Sequence, residues 1–330
     1  MSFDAVQDQI VELLSDNEEQ QFIFLTGAAG TGKTTLLERV KNQLSSKKIV
    51  VAPTGIAALN IGGTTINSAF RIGFETVPVI TKSKDPRFSK LLKNLELLII
   101  DEVSMVRAPM LDAISQSLQI YKKSTEPFGG IHVLACGDLF QLPPVVKQHE
   151  EREIYDRYDS IYFFDALSFK EIKNVKYFQL DKSFRQEEDE GFYELLNNIR
   201  IGNDLEKTIN KINSQCFDPT LESDAYMTLT SRKNRAEELN NHKLTYLDSP
   251  EEIIKSKEFG ELNENDLPAP RELKIKQGAS VMFIKNDSEG RWVNGTLGTV
   301  AECLDKKKKC IKVKINNKTH KVEREEWNKV

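Results

Sequence analysis

Gly27-Ala28-Ala29-Gly30-Thr31-Gly32-Lys33-Thr34 is the stretch from which the architecture can be read. It has the spacing G-x-x-x-x-G-K-[ST] and lies between the short apolar run 22–25 and a segment at about 33–44 with helical periodicity. Its glycines let backbone N–H groups close around a row of phosphates, and a helix N-terminus favours the negative charge. Lys33 can reach the outer phosphates and the Thr34 hydroxyl can ligate a magnesium ion. Alone, the run also fits a plain glycine turn; its place after a strand and before a helix favours the phosphate-binding reading. Residues 49–52, stopped by Pro53, supply a second strand, and strand, helix, strand implies a parallel sheet.

Further along, 97–100 and 131–136 are apolar runs with the fully buried look expected of central parallel strands covered on both faces. The first ends in Asp101-Glu102. Alone, this pair also fits an ordinary exposed strand end; together with the loop, Asp101 suits the shell of a magnesium ion and Glu102 suits the polarisation of an attacking water. A hydrolytic base points to an ATPase that drives motion and away from a small-molecule kinase. The second run leads into Gly137-Asp138-Leu139-Phe140-Gln141-Leu142-Pro143-Pro144. Gln141 can touch both a γ-phosphate and a water there, while Phe140 and Pro143 offer flat apolar surface to a base. A rigid loop is the plainer account of the two prolines.

The rest of the chain frames these motifs. Asp4 caps an amphipathic helix carrying Val6, Ile10, Leu13 and Leu14, and a covering helix starts near Pro109 with Met110, Ile114, Leu118 and Tyr121 on one side. Residues 71–89 are polar with weak periodicity and read as an insertion projecting from the sheet. After about 180 the alternation restarts, with a helix through Phe192, Leu195, Leu196 and Ile199, a strand at 226–230 and a helix at 235–247. Residues 249–270 read as a connector, and short β runs with glycine turns follow from Gln277. The expected division is 1–178, 179–290 and 291–330.

With 330 residues, 39% hydrophobic and 29% charged, the chain is too long for one ordinary core and too apolar to be disordered as a whole. No membrane span or signal pattern is present, and Cys136, Cys216, Cys303 and Cys310 form no CxxC pair, so a soluble protein of a reducing, cytoplasmic compartment is expected. A net charge of −4 does not announce a polyanion partner, although 15 Lys/Arg against 8 Asp/Glu from Arg271 onward leave that end at +7 and the first 270 residues at −11. Lys306 to Lys309 fit either a solvated hairpin tip or a phosphate-binding patch.

The motifs, taken in order, resemble one family. Gly27 to Thr34, Ala52-Pro53-Thr54-Gly55-Ile56-Ala57-Ala58, Gly62-Gly63-Thr64-Thr65-Ile66-Asn67-Ser68, Asp101-Glu102-Val103-Ser104-Met105, Pro127-Phe128-Gly129-Gly130 and Gly137 to Pro144 form the first part of the likeness. Leu180-Asp181-Lys182-Ser183-Phe184-Arg185-Gln186, Leu196-Asn197-Asn198-Ile199-Arg200 and Val293-Asn294-Gly295-Thr296-Leu297-Gly298 continue it. The set is similar to that of the petite-integration-frequency DNA helicases of superfamily one, in the 5′-to-3′ branch with RecD and Dda, over nearly the whole chain.

The resemblance implies an α/β fold: a RecA-like P-loop motor domain, a second, incomplete RecA-like domain and a small SH3-like β insertion. It implies ATP and Mg²⁺ as cofactors, held by Gly27, Ala28, Ala29, Gly30, Thr31, Gly32, Lys33, Thr34 and Thr35, with Thr34 and Asp101 on the metal. Lys33, Glu102, Gln141 and Arg185 would be catalytic, Arg185 as an arginine finger. A glutamine ahead of the first strand would read adenine, and Gln9 fits that spacing better than Gln7. Single-stranded DNA would run along Thr54, Gly55, Thr65, Asn67, Phe140 and Pro143, with Asn67 where the family usually has histidine, and the 71–89 insertion would be the strand-separating wedge. The implied activity is ATP-dependent unwinding with 5′-to-3′ translocation on single-stranded and forked or structured DNA by a monomer, nucleoid-associated in a prokaryote. The family's later His-Lys-Ser-Gln-Gly-like and arginine motifs do not occur before Val330, so a fragment acting only as a DNA-stimulated ATPase or as a nucleotide-dependent single-strand binder is the alternative expectation.

Overall fold

The computed structural model describes residues 2–16, 19–181, 190–218, 228–259, 269–305 and 310–326. The chain divides into two compact units, Met1–Phe217 and Asp218–Val330.

The first unit opens with α1 (Phe3–Ser15), β1 (Phe22–Gly27), α2 (Lys33–Gln43), β2 (Lys48–Ala52), α3 (Gly55–Asn60), β3 (Thr64–Thr65) and α4 (Ile66–Phe70). It continues through α5 (Pro86–Lys93), β4 (Leu97–Ile100), α6 (Ala108–Lys122), β5 (His132–Cys136), α7 (Gln148–Tyr155), α8 (Leu167–Lys170), β6 (Val175–Leu180), α9 (Glu190–Ile201) and α10 (Leu205–Cys216). Its strands form one six-stranded sheet in the order β3-β2-β4-β5-β1-β6, with every neighbour parallel. Parallel strands need crossovers, and the helices that make them cover both faces.

The two faces can be read residue by residue, because side chains alternate along a strand. Ile23, Leu25, Val50, Ala52, Leu97, Ile99, Leu134 and Cys136 point one way, against Val6, Ile10 and Leu14 of α1 and Leu36, Leu37 and Val40 of α2. Phe22, Phe24, Val51, Leu98, Ile100, Val133 and Ala135 point the other way, against Phe88 and Leu92 of α5 and Leu111, Ile114 and Leu118 of α6. This is the α/β RecA-like arrangement, and both apolar runs at 97–100 and 131–136 are central strands in it.

Local chemistry shifts several boundaries. Ser2, not Asp4, caps α1: its hydroxyl accepts from the Ala5 N–H. Pro109 occupies the second position of α6, where its missing N–H is not needed. The 71–89 insertion is not irregular throughout, because Asp85 accepts from the N–H groups of Arg87 and Phe88 and starts α5 at Pro86. The short elements α3, β3 and α4 carry too little periodicity to be seen in the sequence.

In the second unit, α11 (Lys233–Thr245) precedes a two-stranded antiparallel sheet of β7 (Glu252–Lys255) and β8 (Glu272–Ile275). β7 falls within the stretch read as a connector, since its four residues alternate without a strong apolar signal. The expected strand at 226–230 lies partly outside the described residues, and Thr228 to Thr230 are not in a strand. A second antiparallel sheet, in the order β12-β11-β10-β9, joins β9 (Ser280–Met282), β10 (Leu297–Asp305), β11 (Cys310–Ile315) and β12 (Lys318–Val322). Its core is Trp292, Val313 and Ile315, with Val281, Phe283, Ile311 and Val322 packed on them. Lys306 to Lys309 lie outside the described residues. Among the described residues no helix is long and apolar enough to cross a membrane.

Candidate nucleotide and nucleic-acid site

Because all six strands run the same way, the residues that follow β1 to β5 leave the sheet at one edge, where ligands of open α/β sheets bind. The loop after β1 carries the phosphate-binding motif. Gly32 caps α2 in the left-handed region, with φ 84°, a conformation that costs glycine little. Gly27 has no room for a side chain, since a Cβ there would sit 2.6 Å from the Leu180 carbonyl oxygen and 2.7 Å from the Thr31 hydroxyl. Thr31 is fully buried and its hydroxyl donates to the Ala28 carbonyl at 2.9 Å. Thr34 and Thr35 are exposed at the start of α2, with Ala28 and Ala29 on the turn before them.

The Lys33 ammonium donates to the carbonyl oxygens of Gly27 at 2.8 Å and Ala28 at 3.0 Å, folding back over its own loop. It is close enough to influence both acids after β4. Burial raises the Asp101 carboxyl above its ordinary range, against a backbone hydrogen bond from Glu102, the Cys136 thiol and the Lys33 charge. Burial and then the Asp101 charge raise the Glu102 carboxyl, again against Lys33. Glu102 adopts φ 52° and ψ 41°, the left-handed region that a non-glycine residue enters only at a cost of about 1–3 kcal/mol. Such strain at a strand end is a mark of functional sites.

The loop after β5 is organised by Asp138, whose side chain is 1% exposed. It accepts from the Phe140 N–H at 3.1 Å, from the Gln141 side-chain amide at 3.1 Å, and from Arg200 Nε at 3.0 Å and Nη2 at 2.9 Å. Burial by itself would raise this carboxyl, but these partners, Arg200 foremost, hold it below the ordinary range. Arg200, in the last turn of α9, is a partner that the sequence does not announce, because a lone arginine near a helix end carries no signal for this contact. Phe140 is 60% exposed, and Pro143 is exposed beside it.

β2 and β3 pair at Ala52 and Thr65, which sets two helix starts side by side. Thr54 caps α3 through the Ala57 N–H, with Gly55 next to it, and Thr65 caps α4 through the Ser68 N–H. The Asn67 amide donates to the Ile72 and Gly73 carbonyls at 3.1 and 3.0 Å, and so ties down the start of the insertion. Gln9 is exposed on α1. Gln7 is the buried glutamine, donating to Gln43 Oε1 at 2.8 Å while its own amide oxygen has no partner. Burial, which spacing does not encode, singles it out. Arg185 lies outside the described residues.

Comparison with known proteins bears on this geometry. The model of the PIF1-like helicase family matches residues 2–210. The ATP-dependent DNA helicase PIF1 of Saccharomyces cerevisiae is 33% identical over 319 residues, covering 91% of this chain and 35% of the yeast protein. The Pif1 helicase of Bdellovibrio bacteriovorus is 32% identical over 306 residues, covering 90% of this chain and 66% of that protein. Among solved structures, the Bacteroides Pif1 helicase in complex with ADP-AlF3 and single-stranded DNA aligns with a TM-score of 0.82 at 37% identity, over 99% of this chain and 76% of that one. The chain thus spans about a third of the yeast relative's length.

Proposed function

The chain belongs to the PIF1-like helicase family, and on that premise we propose that it hydrolyses ATP to move along single-stranded DNA and separate the strands of forked duplexes, 5′ to 3′. One observation carries the reading: the phosphate loop with Lys33, the Asp101-Glu102 pair and the Gln141 loop follow β1, β4 and β5 of a single parallel sheet, with Lys33 electrostatically coupled to both acids.

Lys33 exchanges the Gly27 and Ala28 carbonyls for the outer phosphate oxygens of ATP. Glu102, made more basic by burial and by Asp101, orients the attacking water and takes its proton. Gln141 leaves Asp138 to meet the γ-phosphate, and Arg185 supplies the compensating charge. Gln7 replaces Gln9 as the reader of adenine, because its unpaired buried oxygen can accept from an exocyclic amine.

Magnesium fits the donors present. Among the described residues no group of three or more His, Cys, Asp or Glu side chains forms an all-protein cage. Mg²⁺ is commonly held by one or two protein oxygens plus phosphates and water, and the Thr34 hydroxyl and Asp101 carboxylate are such hard oxygen donors. When bound, it neutralises charge on the phosphates.

Thr54, Gly55 and Thr65 offer two adjacent helix starts to strand phosphates, and Phe140 and Pro143 offer faces on which bases stack. Asn67 acts behind them, by holding the insertion. A monomeric motor completes the reading.

The test is ATP hydrolysis with and without single-stranded DNA, with Lys33→Ala as the blank, followed by unwinding of forks bearing a 5′ or a 3′ tail. Stimulation by DNA and a preference for the 5′ tail are expected. Hydrolysis indifferent to DNA would overturn the reading.

A further inference from the structure

Arg200 touches both ends of the loop at once. Its guanidinium makes a two-point contact with the buried Asp138 carboxylate and also lies 4.5 Å over the centre of the Phe140 ring. Asp138 in turn holds the Gln141 amide. One planar cation, projected from α9, therefore joins the side chain that faces nucleotide to the ring that faces DNA, across 62 residues of sequence. Arginine is suited to this: its fork matches a carboxylate at two points while its flat face covers an aromatic ring, and lysine can do neither.

We propose that Arg200 is a positioning residue that couples nucleotide state to DNA grip through Asp138, resting on the helicase reading above. With no γ-phosphate, Gln141 and Arg200 share the Asp138 carboxylate. When Gln141 departs for nucleotide, Arg200 becomes the chief partner of Asp138, its plane shifts on the carboxylate, and Phe140 moves with the cation on which it stacks. The coupling element is the loop itself, with two arrangements that differ in who holds Asp138.

A purely structural clamp would need the charge but not the plane, which makes Arg200→Lys the informative change. Asp138→Asn is the second variant, since it weakens the same contact from the other side. The whole chain and both variants are compared in three measurements: mant-ADP binding, steady-state hydrolysis with single-stranded DNA, and anisotropy of a fluorescein-labelled oligothymidylate with ADP or with ADP plus aluminium fluoride. For Arg200→Lys, mant-ADP affinity and the KM for ATP stay within about twofold while DNA-stimulated kcat falls about 10-fold, the size of effect expected of a mispositioned group. The ratio of DNA affinities between the two nucleotide states, distinct from one in the unaltered chain, collapses towards one in both variants.

Retention of kcat and of that ratio in both variants would overturn the proposal. So would a ratio of one in the unaltered chain, or loss of cooperative thermal unfolding in both variants, which would make the pair structural. If the unaltered chain shows no DNA-dependent hydrolysis, the helicase reading falls and this inference with it; if it hydrolyses and the variants match it, only this inference falls.

Discussion

The parallel sheet of the first unit and the four-stranded antiparallel sheet of the second are built from different grammars. β1, β4 and β5 are buried along their whole length, whereas β11 mixes buried and exposed residues and β12 has only exposed and half-buried ones. A strand covered on both faces has no polar register to respect, so it can end in whatever chemistry the edge requires. A strand with one wet face commits much of its length to water, and among the described residues the core cluster of this sheet is small: Trp292, Val313 and Ile315 with a few half-buried neighbours. The first kind of sheet carries a strained Glu102 and a buried Asp138 in the loops that follow its strands.

The largest expected effect separates chemistry from fold in the first unit. Lys33→Ala should lower DNA-stimulated hydrolysis by about 10²–10³-fold, as loss of a phosphate-facing charge does. Its melting temperature should stay near that of the unaltered chain, because the ammonium touches only two loop carbonyls. A collapse of the fold in this variant would mean that the loop is part of the core and not an appendage to it.

The difference between the sheets also explains what the sequence could tell. Apolar runs at 97–100 and 131–136 were legible because both faces are covered, and the motifs after them were legible as the ends of those central strands. β7 was lost in a polar stretch because a four-residue strand with half its side chains wet looks like a loop. That Gln7 is buried and Gln9 exposed was illegible, since spacing fixes a helix but not which of its faces is buried. The inward contacts of Asn67 with Ile72 and Gly73 were equally illegible, because both partners are backbone carbonyls. The Asp138–Arg200 contact was illegible for another reason: nothing in the sequence pairs two residues that meet only after β6 and α9 have folded.

Core truncation should sharpen the contrast. Leu134→Ala, in the middle of β5, should cost about 3 kcal/mol or more, and Val313→Ala, in the smaller core, about 2 kcal/mol. In a Trp327→Phe background the remaining tryptophan, Trp292 in the core of the four-stranded sheet, reports on the second unit during urea unfolding, while circular dichroism follows mainly the helices of the first. Leu134→Ala should move the dichroism midpoint more than the fluorescence midpoint, and Val313→Ala the reverse. Equal shifts of both signals in both variants would show that the units unfold as one.

Gly298→Ala should come next, at about 1–3 kcal/mol, the usual cost of overpacking. Its Cβ would lie 2.5 Å from Val313 Cγ1 and 3.0 Å from the Lys314 carbonyl oxygen, so the strand must move. The loss should appear in the tryptophan signal. The first unit has a comparable reserve in Asp138, of about 2 kcal/mol for a hydrogen-bonded carboxylate. Its pKa is lowered on folding, so this stability is present above the ordinary value of 3.8 and is lost as pH falls through the folded-state value. Asp138→Asn should therefore unfold more readily than the unaltered chain at neutral pH, and the gap should narrow on acidification.

The smallest effect has the opposite sign. Glu102 bears two costs at once, a left-handed backbone and a carboxylate whose ionisation is opposed by burial and by Asp101. Asparagine enters the left-handed region more readily than glutamate and carries no charge. Glu102→Asn should thus raise the urea midpoint of the dichroism signal, by an amount equivalent to about 1 kcal/mol, while removing DNA-stimulated hydrolysis. A residue whose loss steadies the sheet and stops the reaction is held in place for its chemistry. An unchanged or lowered midpoint would instead make the unusual backbone a requirement of the turn after β4, and the strain would then belong to the fold and not to the site.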